Sequence, residues 1–236
     1  MYDNKHNTVA VILAAGAGSR MGMDKTKQTL SICGKSVLRR SLEAFDSADC
    51  INSLVVVYRD GEYDFVNKEC QFLKKPFTLV KGGKFRAESA KLGFESCDPA
   101  FEYVMIHDAA RCLITAEEIC SVAENAYIYG AATASRPITD TVKRCDESGN
   151  VIDTLVRSEL CSVQTPQAFS RDIYARALES FGELDESVTD DNMLAEKIGV
   201  KPRCVTTLST NIKITAIDDI SFAEYIIKKR EGFLNE

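Results

Sequence analysis

Residues 9–28 read VAVILAAGAGSRMGMDKTKQ. The apolar run Thr8–Leu13 gives way to the small residues at 14–18, and then Arg20, Lys25 and Lys27 follow. An apolar run without polar alternation predicts a central strand buried on both faces of a sheet. Small residues after it let the backbone approach a ligand closely, and free N–H groups there can cradle an anion or meet a base edge. Arg20 and Lys27 share that loop and can reach one polyphosphate. Taken alone, the stretch is explained equally well by a glycine-rich turn with solvated charges.

Two well-known phosphate loops fail here. The dinucleotide fingerprint G-x-G-x-x-G is met at Gly16 and Gly18, but Met21 stands where its third glycine belongs. The P-loop ending nearly appears at Gly34-Lys35-Ser36, with Thr29 in place of its first glycine. Gly34 therefore reads as a turn before a helix.

Short β-branched runs and helical patterns alternate along the chain. Strands are expected at Ser53–Tyr58, Phe77–Val80, Tyr103–His107 and Ala131–Ser135, with helices at Ser36–Phe45, Asp64–Leu73, Ala87–Glu95 and Ala116–Tyr127 between them. That rhythm predicts an α/β fold with a mainly parallel sheet. It breaks at Asp140–Cys145 and Val151–Val156, two strands around the turn-prone DESGN. Such a hairpin arm has little core of its own and is expected to pack on something else, such as a second subunit. Helices near Arg171–Ser180 and Asp190–Ile198, a strand near Arg203–Thr207 and a final helix follow. Asp218 and Asp219 are placed to cap that last helix, and Lys228, Lys229 and Arg230 end it. One domain over residues 1–236 with an arm at about 138–160 is the expected organisation.

The totals limit the function classes. A hydrophobic content of 45% and a charged content of 27% are ordinary for a soluble globular chain. A net charge of −6 argues against a broad basic face for nucleic acid and leaves room for a local basic pocket. Nine cysteines, an odd number without C-x-x-C, and two distant histidines, His6 and His107, speak against structural zinc and a secreted disulfide framework. Val9–Ala15 is too short to span a bilayer, and MYDNKHNT lacks the basic start of a signal peptide. A cytoplasmic protein with no nucleic-acid or membrane partner is the expectation.

HDAAR at 107–111 follows directly on an expected buried strand. Asp108 then sits at the carboxyl edge of the sheet, where open α/β folds bind ligands. A carboxylate beside a polyphosphate would hold Mg²⁺ or another divalent cation, which prefers oxygen ligands and keeps waters. The bland readings are a helix cap for Asp108, a structural ion pair for Arg111 and a packed strand residue for His107. No nucleophile motif accompanies either histidine.

With these motifs in view the chain resembles the 2-C-methyl-D-erythritol 4-phosphate cytidylyltransferases. The resemblance runs through LAAGAGSRMG (13–22), KQ (27–28), GGKFRAESAKLGF (82–94), HDAAR (107–111), TDTVKR (139–144), TPQAF (165–169), TDDNMLAE (189–196) and NIKIT (211–215), in the family's order. It implies a Rossmann-like nucleotidyltransferase fold, a three-layer α/β/α sandwich with a protruding β-hairpin arm that builds a homodimer. It also implies transfer of CMP from CTP to the polyol phosphate, with pyrophosphate released.

Carried over onto this sequence, Arg20 and Lys27 stabilise charge on the α-phosphate. Arg157 and Lys213 hold the acceptor phosphate, Arg157 reaching the partner's site. Asp108 takes the metal position and Arg111 a substrate-side one, with Thr141 and Thr165 as substrate-binding threonines. Ala14, Ala15, Gly16, Gly18, Gly82, Gly83 and Ser89 surround the nucleotide.

The chain departs from the family pattern at Thr26, Thr29, Lys84, Cys112 and Thr210, where the family places proline, an aromatic, an acid, proline and an acid. Thr210 leaves Asp108 as the lone expected metal carboxylate. The nearest rival reading is a ribitol-phosphate or other polyol-phosphate cytidylyltransferase, which commonly carries LAGG where residues 13–16 read LAAG. A nucleotide-binding regulator without catalysis is the alternative of another class, and the intact Arg20, Lys27, Arg157 and Lys213 argue against it. An NAD(P)-dependent oxidoreductase is disfavoured by Met21.

Overall fold

The computed structural model describes residues 6–16, 26–208 and 210–233. The first strand, β1 (Thr8–Leu13), is buried at every position, as its apolar run dictates. A short hairpin of β2 (Ser31–Ile32) and β3 (Lys35–Ser36) follows. Its two turn residues, Cys33 and Gly34, both have positive φ (46° and 78°), so Gly34 serves a tight hairpin turn rather than a phosphate loop. Ser36 then caps α1 (Val37–Ser47), accepting the Arg39 N–H at 2.9 Å.

The alternation continues with β4 (Ser53–Tyr58), α2 (Tyr63–Cys70), β5 (Phe77–Lys81), α3 (Arg86–Glu95), β6 (Tyr103–Asp108), α4 (Ala116–Tyr129) and β7 (Ala131–Pro137). The arm is β8 (Lys143–Cys145) paired antiparallel with β9 (Val151–Thr154). Asp146 closes its turn, its Oδ1 accepting the Ser148 and Asn150 N–H groups. The chain then runs through β10 (Cys161–Ser170), α5 (Arg171–Phe181), α6 (Asn192–Lys197), β11 (Arg203–Thr206) and α7 (Asp218–Arg230).

Seven strands form one sheet in the order β11-β7-β10-β6-β1-β4-β5. All neighbouring pairs are parallel except those of β10, which runs antiparallel between β6 and β7. Alternate residues of β1 face opposite layers: Ala10 and Ile12 pack with α1, α2 and α4, whereas Val9, Val11 and Leu13 pack with α3, α5 and α6. The architecture is the expected three-layer α/β/α sandwich. Gly93 sets the approach of α3 to the sheet, because a Cβ there would run into Val11 and Val57. A third cluster, with Leu30, Ile32, Leu113, Ile214 and Ile227, fastens α7 and the segment before it to the β2–β3 hairpin.

Two details differ from the sequence expectation. β10 escapes the pattern because Pro166 interrupts it. The structure seats that proline at a register shift between Val163 and Gln167, where a missing N–H costs the ladder nothing. Asp218 and Asp219 do not cap α7, whose preceding residue is Ile217. Instead Asp219 reaches back to accept the backbone N–H groups of Thr215 (2.6 Å) and Ala216 (2.8 Å).

Candidate active site

A cleft of about 600 Å³ opens at the carboxyl edge of the sheet, lined by Ala15, Gly16, Lys27, Gly82, Gly83, Asp108 and Lys213 among others. Backbone bonds lock the loops that carry these residues. The Ala14 N–H donates to Val57 O at 2.8 Å, Gly82 N–H to Tyr58 O at 2.8 Å and Ala109 N–H to Leu13 O at 3.1 Å. Ile214 N–H donates to Ala110 O at 2.8 Å, which fixes Lys213 beside the end of β6. Gly82 is required by crowding, since a Cβ there would lie 2.5 Å from the Ala15 Cβ. Ser89 accepts the Gly83 N–H at 3.1 Å and donates to Phe85 O at 3.0 Å, shaping the glycine pair from below.

Asp108 sits at the centre of the charge. Its Oδ1 accepts from Arg86 Nε at 3.0 Å and its Oδ2 from Lys213 Nζ at 2.6 Å. Burial opposes ionisation of this carboxyl, but the charges of Arg86 and Lys213 outweigh it and hold its pKa well below the usual carboxylate range. Arg86 is in turn gripped by Asp191, whose Oδ2 accepts from Nη1 at 2.8 Å. Tyr174 donates to the other oxygen of Asp191 at 2.6 Å, and the Asp191 N–H donates to Gln167 Oε1 at 2.9 Å.

Lys27 lines the same cleft and lies near enough to Asp219 for its charge to help keep that carboxyl ionised against burial. Arg20 and Gly18 fall outside the described residues. Thr165 lies beneath the cleft: its hydroxyl accepts the Asp108 N–H at 3.0 Å and touches His107 Nδ1 at 3.2 Å. Arg111 donates to Asn211 O at 3.1 Å, and burial lowers its pKa. Thr141 and Arg157 are exposed in and beside the arm, and neither is among the residues lining the cleft. Arg157 donates to Thr139 O at 2.7 Å.

Sequence reasoning passed over Arg86, Asp191, Arg59 and Asp60. Arg59 and Asp60 follow a parallel strand, so the carboxyl-edge argument that found Asp108 could have found them too. Three of the five departures have a visible place in the fold. Thr26 holds φ at −73°, close to the value a proline would impose. Thr210 Oγ1 accepts from Arg230 at 2.8 Å, and Cys112 is buried in the third cluster.

A divalent cation can be weighed against this donor set. Among the described residues no three His, Cys, Asp or Glu side chains gather as a cage. Two carboxylates line the cleft, Asp108 and the Lys81-paired Asp60, and such a set suits Mg²⁺, which takes one or two carboxylates and completes its shell with phosphate oxygens and water. Asp108 fits that mode once Lys213 turns away from it.

His107 is fully buried near the end of β6, its ring tilted by 50° against that of Phe45 with the centroids 4.8 Å apart. Burial pushes its pKa down to about 3. The unfolded chain takes up a proton near pH 6.5 that the folded chain refuses, so stability falls as pH drops from 6.5 towards 3. Replacing His107 with glutamine should flatten this slope by about 1.4 kcal/mol per pH unit in that window, read as the difference between urea titrations of the two proteins. Equal slopes would show that His107 is protonated in the fold.

The sequence model of the 2-C-methyl-D-erythritol 4-phosphate cytidylyltransferase family matches residues 8–229. This chain belongs to that family. A cytidylyltransferase of this name from Caldanaerobacter subterraneus subsp. tengcongensis is 38% identical over 226 residues, covering 94% of this chain and 100% of that one. One from Pelotomaculum thermopropionicum is 38% identical over 230 residues, covering 96% and 97%. The crystal structure of 4-diphosphocytidyl-2C-methyl-D-erythritol synthase from Anaerococcus prevotii overlays with a TM-score of 0.84 at 27% identity, covering 94% of this chain and 99% of that one. The family fold and the described seven-stranded sheet agree.

Proposed function

We infer that the chain transfers the cytidylyl group of CTP to 2-C-methyl-D-erythritol 4-phosphate, giving 4-diphosphocytidyl-2-C-methyl-D-erythritol and pyrophosphate in the non-mevalonate route to isoprenoids. The near full-length family match carries the reading. The cleft supports it chemically. The attacking group is a phosphate monoester, largely dianionic near neutral pH, so it needs neither a general base nor an enzyme nucleophile. It needs its repulsion from the triphosphate relieved and its oxygen held in line.

Lys27, with Arg20 from the same loop, stabilises the negative charge that grows on the α-phosphate. Lys213, whose side chain is 40% exposed, turns from Asp108 to the acceptor phosphate. Ala14, Ala15, Gly16, Gly18, Gly82, Gly83 and Ser89 hold the cytosine and ribose by shape and by backbone N–H groups. Arg111, Thr141 and Thr165 serve the acceptor side. Mg²⁺ at Asp108 would neutralise the phosphate oxygens.

The active form is a homodimer joined through the arm. Val151, Ile152 and Val156 are each more than half exposed, an apolar surface that a second copy would cover. Arg157 then reaches the other copy's cleft. The nine cysteines are all free, which suits a cytoplasmic protein.

A pyrophosphate-release assay with CTP and Mg²⁺ tests the reaction, comparing methylerythritol phosphate, ribitol 5-phosphate and no acceptor. Release that depends on methylerythritol phosphate is expected. Preference for ribitol phosphate would change the substrate, and silence with both would make the protein a nucleotide binder. Light scattering should give twice the chain mass, and an Ile152→Asp variant should fall to monomer and lose turnover.

A further inference from the structure

We propose that Arg86 is a positioning residue for the reaction: clamped by Asp191, it fixes the orientation in which the Asp108 carboxylate meets the bound nucleotide. The proposal rests on the cytidylyl-transfer reading above. Arg86 and Asp191 lie in GGKFRAESAKLGF and TDDNMLAE, motifs in which the resemblance gives roles only to Gly82, Gly83 and Ser89.

Two partners hold Asp108, one on each oxygen, and they differ in stiffness. Lys213 Nζ sits on a side chain that is 40% exposed, on the segment between β11 and α7, and it must leave to serve a phosphate. Arg86 opens α3, whose packing on the sheet is fixed at Gly93, and only 23% of its side chain is exposed. Its guanidinium spans two carboxylates at once, Nε on Asp108 at 3.0 Å and Nη1 on Asp191 at 2.8 Å. The Asp191 side chain is 1% exposed and held in place by Tyr174. When Lys213 turns away, Oδ1 of Asp108 stays tied to this relay while Oδ2 becomes available.

A fork is needed for this task. Lysine presents a compact point charge and cannot bond both carboxylates in one fixed geometry, so Arg86→Lys keeps the charge and loses the bridge. The loss of a fixed reacting geometry is expected to lower kcat roughly 10- to 100-fold while KM for CTP changes by less than about 3-fold. Added guanidinium should restore part of the turnover of Arg86→Ala. An Ile119→Val change in the opposite layer serves as the stability control, lowering the thermal midpoint while leaving kcat alone. Crystal structures of Arg86→Lys and Arg86→Ala should show the Asp108 carboxylate swung away from its present rotamer.

Wild-type turnover in Arg86→Lys would overturn the proposal. So would a loss of activity in Arg86→Ala that tracks the unfolded fraction and resists guanidinium, or an Asp108 rotamer unchanged in both variants. The crystallographic result decides the matter even where the parent protein is silent toward CTP, an outcome that would count against the assigned reaction instead.

Discussion

Lys27→Met should turn over CTP and methylerythritol phosphate about 100- to 1000-fold more slowly than the parent chain, the cost of removing one preorganised charge stabiliser. The expectation follows from where Lys27 sits. It opens the helical turn Lys27–Thr29 and lines the cleft that also holds Asp108 and Lys213. In that partly water-excluded space its charge is worth more than at the surface. Stopped-flow or steady-state pyrophosphate release at saturating CTP measures the effect, with KM for CTP followed in parallel. Methionine keeps the length of lysine's aliphatic stem and removes only the ammonium, so packing around the turn is preserved. Turnover within a few-fold of the parent would remove Lys27 from the chemistry.

The largest effect on folding is expected at Gly93→Leu. A Cβ at this position would overlap a methyl of Val11, and it would lie 2.9 Å from Cγ2 of Val57. Both neighbours are buried β-branched residues on central strands, with little freedom to yield. Relief requires α3 to lift from the sheet, and overpacking of this kind costs about 3 kcal/mol or more. For a chain of this size that lowers the melting temperature by roughly 6–12 °C. Urea denaturation gives the free energy directly, and a loss under 1 kcal/mol would mean that the helix is not seated on Gly93. Because α3 carries Arg86 and Ser89, the variant should also lose activity at temperatures where it remains folded.

Much of the fold was legible because burial on both faces writes itself as uninterrupted apolar sequence. Thr8–Leu13 and Ser53–Tyr58 are strands at the bounds read from the sequence. β10 was not legible, since its Thr-Pro-Gln centre breaks the run and its place depends on a bulge that only the sheet defines. In the site, residues that follow a strand directly, such as Asp108, could be placed by topology alone. Arg86 and Asp191 could not be paired that way: they are separated by 105 residues and meet only through packing of α3 against α5 and α6. The cap of α7 failed for a similar reason, because Asp219 found backbone donors outside the helix.

The seating of β6 between β1 and β10 has a consequence in time. Asp108 and Lys213 meet across 105 residues of chain. At synthesis rates of about 5–20 residues per second, roughly 5–20 s separate the translation of the two residues. Over that interval the nascent chain has a nucleotide-side wall without Lys213, and until β10 emerges β6 lacks the neighbour that covers its second edge. The emerging protein can therefore complete the cleft only after Lys213 has been translated, when the Ile214 N–H bonds Ala110 O and sets the lysine beside Asp108.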